Sequence, residues 1–206
     1  MNRFRPLPGG TGIRSIVVTA LALGAIILSG CASIEDPTTS TQGSPGDGLL
    51  AEHSLDGLQP GELVNALDAM PLADRPNGLA TSITADFLTL TDQHNHTAQV
   101  ALPSDAIYVS VAPYQSETHD CYVHSPTGCV GELRNADIDV VVTDSETGGT
   151  ILSESTRTFD NGFVGLWLPR DIDSTITITH GGQVVTSSLS TIGDDAQTCI
   201  TTMRLT

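Results

Sequence analysis

From Ile138 to Thr191 apolar and polar positions alternate with a period near two, the pattern of strands with one buried face. The runs are Ile138 to Thr143, Ile151 to Phe159, Phe163 to Leu168, Thr175 to His180 and Val184 to Thr191, rich in Val, Ile and Thr. Thr147-Gly148-Gly149, Asp160-Asn161-Gly162 and Gly181-Gly182 separate them, each a signal for chain reversal. Upstream, Ile83 to Thr91 and Ala98 to Leu102 read as strands joined around Asp92-Gln93-His94-Asn95-His96, and Ala106 to Ala112 as a third. The pattern changes to helical spacing only from Pro60 to Met70, where Leu63, Ala66, Leu67 and Met70 share a face and Pro71 ends the run. The fold class is therefore mainly β: a small N-terminal helix-plus-strand part over 49–112, then a cysteine-containing loop and an antiparallel β-sandwich over 113–206.

The first 48 residues read differently. Arg3, Arg5 and Arg14 precede an apolar run from Ile16 to Leu28, followed by Leu28-Ser29-Gly30-Cys31. A charged start, a short apolar stretch and small residues before a cut describe a signal peptide over 1–30. The run of about 13 residues falls short of the roughly 20 that a spanning helix needs. Its last four residues resemble a bacterial lipobox, whose cysteine becomes the lipidated first residue of the mature chain. Cys31 is then the lipidation site, carrying palmitate-type acyl chains. Residues 31–48, rich in Thr, Ser, Pro and Gly, read as a disordered tether. The expected location is the extracytoplasmic face of the cell membrane, lipid-anchored.

Charge narrows the partners. The chain has 24 Asp and Glu against 8 basic residues, for a net charge of -16. Nucleic-acid binding needs a basic footprint, and this is the reverse. Such a surface concentrates cations, although solubility alone would also account for it.

Setting Cys31 aside leaves three cysteines, Cys121, Cys129 and Cys199, an odd number for a protein stapled only by disulfides. The first two lie in Glu117-Thr118-His119-Asp120-Cys121-Tyr122-Val123-His124-Ser125-Pro126-Thr127-Gly128-Cys129, where Pro and Gly interrupt the strand pattern and mark a loop. Thiolates favour Cu(I), zinc and iron clusters, and imidazoles suit copper and zinc, so His119 and His124 are candidate ligands beside the cysteines. The paired Cys-x-x-Cys knuckles of structural zinc sites are missing, although zinc remains a candidate ion. Met203 shares a strand face with Cys199 and could add a thioether, or simply pack. The residues alone leave alternatives open: one disulfide with a bystander thiol in a surface binding module, or a thiol-disulfide oxidoreductase. His94 and His96 fit a solvated hairpin tip.

Several segments, taken in order, carry a more specific signal. They are Tyr108-Val109-Ser110-Val111-Ala112-Pro113-Tyr114, Thr118-His119-Asp120-Cys121, Cys129-Val130-Gly131-Glu132-Leu133, Gly165-Leu166-Trp167-Leu168-Pro169-Arg170 and Thr198-Cys199-Ile200-Thr201-Thr202-Met203. Together they resemble the CueP family of periplasmic copper-binding proteins. The resemblance implies a copper-resistance protein that holds Cu(I) through three cysteines, matching Cys121, Cys129 and Cys199. It also implies Cu(II) reduction, which would be the chain's only enzyme-like activity, and a copper-receiving partner. In the best-known members that partner is a periplasmic superoxide dismutase. The lipid anchor and acidic surface depart from those members and leave the recipient, and any homodimer, undefined. Two thiols could each give Cu(II) one electron and pair as a disulfide, the third keeping the metal. The strand region also resembles transthyretin-like sandwich modules, with Trp167 as a core residue.

Overall fold

The computed structural model describes residues 45–206; the signal-peptide run, Cys31 and most of the tether lie outside the described residues. Helix α1 (Pro45–Glu52) takes in the end of the stretch read as tether, and α2 (Pro60–Asp68) is the helix read from periodicity. At the start of α2, Gln59 N–H donates to the Glu62 carboxylate at 3.0 Å, half of a capping box. A 3-10 turn (Leu72–Asp74) follows. Among the described residues, no helix is long and apolar enough to cross a membrane.

Among the described residues, ten strands make three sheets. Strands β1 (Ala80–Ile83), β2 (Phe87–Thr91) and β3 (Thr97–Ala101) form an antiparallel meander. The expected single strand from Ile83 to Thr91 is thus two: Thr84 N–H donates to Phe87 O at 2.9 Å, and its hydroxyl accepts from Phe87 N–H, a local turn that alternation alone did not reveal. Strands β5 (Asp137–Asp144), β6 (Thr150–Arg157), β8 (Asp173–His180) and β9 (Gln183–Ser190) form an antiparallel sheet in the order β6-β5-β8-β9. The third sheet has β4 (Ala106–Val111) between β7 (Val164–Pro169) and the two-residue β10 (Cys199–Ile200). β4 thereby joins the two parts that the sequence separates at residue 112, and the described residues belong to one unit.

This third sheet is buried on both faces. Ile107, Val109, Val111, Val164, Leu166 and Leu168 meet Ile138, Val140, Val142, Ile176 and Ile178 of the four-stranded sheet, making the sandwich core. On the opposite face Tyr108 and Trp167 pack with Leu63, Leu67, Leu88 and Leu90 of α2 and the meander. Trp167, expected in the core, is partly buried against this cluster, and its indole N–H donates to Asn65 Oδ1 at 3.0 Å. Gly165, paired with Ser110 across the sheet, leaves room for the Tyr108 phenol; a Cβ there would overlap the hydroxyl. Gly165→Ala is expected to displace Tyr108 and lower stability by about 2 kcal/mol, the usual scale of overpacking, read from urea unfolding.

Candidate metal centre

The three cysteines converge at the edge of the third sheet. Cys199 lies in β10, opposite Ser110 of β4, whose hydroxyl reaches Asp68 of α2. β10 runs parallel to β4, with Ser110 N–H donating to Thr198 O at 2.9 Å and Ala112 N–H to Ile200 O at 2.8 Å. The loop carrying the other two cysteines is stitched in by its backbone. Thr198 and Cys199 N–H both donate to Tyr122 O, at 3.1 and 3.0 Å, and Ile83 N–H to His124 O at 2.8 Å. Gly128 and Cys129 N–H then both donate to Ser125 O, so the chain folds back and brings Cys129 under His124. Arg75, directly after the 3-10 turn, clamps this fold-back, its guanidinium donating to Thr127 O at 3.2 Å and Cys129 O at 2.9 Å.

Cys121 and Cys199 are joined as a disulfide, with Cα atoms 5.6 Å apart, and Cys129 is free. The Cys129 sulfur lies 3.6 Å from that of Cys121. Among the described residues, two sets of donors fall within 4.8 Å of one another: His119, Cys121 and Cys129, and His124, Cys129 and Cys199. Cys129 belongs to both. His119 is exposed, whereas His124 is fully buried against the Phe163 ring at a centroid distance of 4.7 Å.

Beneath His124 lies a polar group absent from the sequence reading. Asp68, at the end of α2 and fully buried, receives the His124 Nε2 contact at 2.8 Å. It also accepts from Tyr108 Oη at 2.8 Å, Ser110 Oγ at 2.7 Å and Asn161 Nδ2 at 2.8 Å. Burial works against its charge, but the bond and charge of His124 and the two hydroxyls outweigh that and hold its pKa below the ordinary carboxylate value. Burial likewise opposes the His124 charge, but Asp68 and Cys129 push its pKa up to about 9. The Cys129 thiol is raised by burial and lowered more by His124 and the Ser125 backbone, ending below its usual value. His124 Nδ1 is buried and makes no hydrogen bond of good geometry; Cys129 acts on it at longer reach.

Met203 lies elsewhere. It is fully buried in the apolar cluster of the sandwich with Ile200, beyond the end of the two-residue strand β10, so the strand face expected to carry it beside Cys199 does not extend that far. His94 and His96 occupy the exposed tip between β2 and β3, where Asp92 accepts from His96 Nδ1 at 2.8 Å. Asp68 had a faint sequence signal, since it follows Val64 by four positions on the apolar face of α2. Asn161 was legible only as a turn residue.

The donor chemistry of the centre, three sulfurs and an unpartnered buried imidazole nitrogen, suits a soft or borderline transition metal. Comparison with known proteins agrees. A crystal structure of S.CueP superposes with a TM-score of 0.74 at 35% identity, covering 80% of this chain and 99% of that one. No curated protein sequence matches significantly. The family model for the periplasmic copper-binding protein CueP matches residues 62–204, which include Asp68, the whole cysteine loop and β10. By that match and that fold, the chain belongs to the CueP family of periplasmic copper-binding proteins.

Proposed function

We propose that the protein holds Cu(I) outside the cytoplasm through Cys121, Cys129 and Cys199, and that the Cys121–Cys199 disulfide is the product of Cu(II) reduction at the same place. The observation that carries this reading is the meeting of all three sulfurs at one sheet edge, from a loop and a strand 78 residues apart. In the reducing step two Cu(II) ions take one electron each. The thiols of Cys121 and Cys199 lose their protons to solvent and form the S–S bond, giving two Cu(I) ions. Cys129 keeps its thiolate throughout. Three soft sulfurs favour Cu(I) over zinc, which would compete for the reduced site. His119, exposed beside Cys121 and Cys129, is placed to meet an arriving ion. Through Cys31 the domain is held at the extracytoplasmic face of the membrane, the copper going on to a recipient protein.

The test is a Cu(I) titration of the fully reduced domain against a chromogenic chelator. Cys199→Ser is expected to weaken binding by about tenfold to a hundredfold, since losing a ligand should cost at least what losing its support does. An unchanged affinity would sink the three-sulfur site and leave Cys121–Cys199 as a staple.

A further inference from the structure

The disulfide removes two of the three sulfurs from service, yet the centre keeps a second pair of donors. Cys129 is free and half-buried, and a ring nitrogen of His124 lies within 4.8 Å of its sulfur. His124 Nε2 is engaged by Asp68, so Nδ1 is the nitrogen left to the sulfurs, and it is buried with no hydrogen-bond partner of good geometry. An imidazole held by a carboxylate at one nitrogen, with the other bare, is the arrangement proteins use to orient a metal-binding histidine. Phe163 lies against the ring, and His124 N–H donates to Thr198 Oγ1 at 3.0 Å, which fixes the backbone beneath it.

Resting on the copper reading above, we infer that the centre exchanges ligands with its own oxidation. When Cys121 and Cys199 are joined, Cu(I) is held between Cys129 Sγ and His124 Nδ1, and Asp68 is the positioning residue that turns Nδ1 toward the metal. Cu(I) accepts few ligands and tolerates a mixed sulfur and nitrogen pair. Metal binding displaces the proton from Nδ1, while the proton on Nε2 stays with Asp68. The ion formed by reduction therefore has a place to stay although two thiolates have just been consumed. Asp68 comes from α2 and reaches the sulfurs only through His124, so it acts by orientation and does not touch the metal.

The experiment uses the disulfide-intact domain, loaded anaerobically with Cu(I) as its acetonitrile complex and without thiol reductant. In the wild type, nitrogen-15 NMR of the histidine rings is expected to show His124 carrying its proton on Nε2 and a metal-shifted Nδ1. His124→Gln, whose side-chain amide can still donate to Asp68, is expected to weaken Cu(I) binding to the oxidised form by at least about tenfold. The same variant should change the reduced form by less than about threefold, three sulfurs remaining. Asp68→Asn can donate to Nε2 and move the proton to Nδ1, so it should weaken the oxidised form alone, as a tautomer change does elsewhere. An unshifted Nδ1 in the loaded wild type, or equal affinities of wild type and His124→Gln in the oxidised form, would overturn the inference. Neither result bears on the three-sulfur site, which Cys199→Ser tests separately in the reduced form.

Discussion

Opening the Cys121–Cys199 disulfide is expected to lower the stability of the metal-free domain by about 4 kcal/mol, and Cu(I) is expected to restore most of it. The bond closes a loop with a sequence separation of 78, and loop closure of that size removes roughly this much conformational freedom from the unfolded chain. At the far end β10 is two residues long and pairs with β4 alone. Without the bond, the cysteine loop and the β10 segment are held together by the backbone bonds around Tyr122 and Thr198, by hydrogen bonds from the Gln197, Thr118 and Tyr122 side chains, and by side-chain packing. A metal that binds Cys121, Cys129 and Cys199 together crosslinks the same two segments. Ligand at a thousand times its dissociation constant adds about 4 kcal/mol, comparable to the lost bond. Urea unfolding followed by circular dichroism compares the oxidised, reduced and Cu(I)-loaded reduced states. The midpoint should fall on reduction and rise again with Cu(I). A reduced domain whose midpoint ignores Cu(I) contradicts the crosslinking site.

Strands, the helix and the cysteine loop were legible because each rests on local pattern. Ile176 and Ile178 alternate with threonines, and burial follows that alternation. The split between β1 and β2 was not legible, because the Thr84 hydroxyl bends the chain without a Gly or Pro to announce it. β4 was legible as a strand but not as the centre of the fold: burial on both faces makes it an apolar run broken only by Ser110, and no pattern names the partners β7 and β10. At the site, cysteine arithmetic singled out the three sulfurs, and the family resemblance pointed to copper binding. The pairing of Cys121 with Cys199 depends on three-dimensional proximity that spacing cannot give. Asp68 stayed hidden for the same reason. Its partners Tyr108, Ser110, His124 and Asn161 lie between 40 and 93 positions away, so nothing near it in the sequence explains a buried carboxylate.

That concentration of partners makes Asp68→Ala the most damaging single substitution expected outside the cysteines, with a loss of about 4 kcal/mol. The carboxylate joins four parts of the chain: α2 itself, strand β4 through Tyr108 and Ser110, the 160–163 turn through Asn161, and the cysteine loop through His124. Truncation leaves three buried donors without this acceptor, each costing about 1 to 3 kcal/mol unless water enters, and removes the charge that holds the proton on His124. The imidazole can relieve part of the cost by becoming neutral, and Asn161 keeps its bond to the Asp68 backbone carbonyl at 2.8 Å. Those two adjustments keep the expected loss below the sum of the separate bonds. Asp68→Asn preserves shape and one acceptor oxygen, and should cost nearer 2 kcal/mol. Urea midpoints of the two variants in the oxidised state separate the explanations. If Asp68→Ala lost less than about 1 kcal/mol, the carboxylate would be a replaceable filler and not the tie between the helix and the sulfur centre.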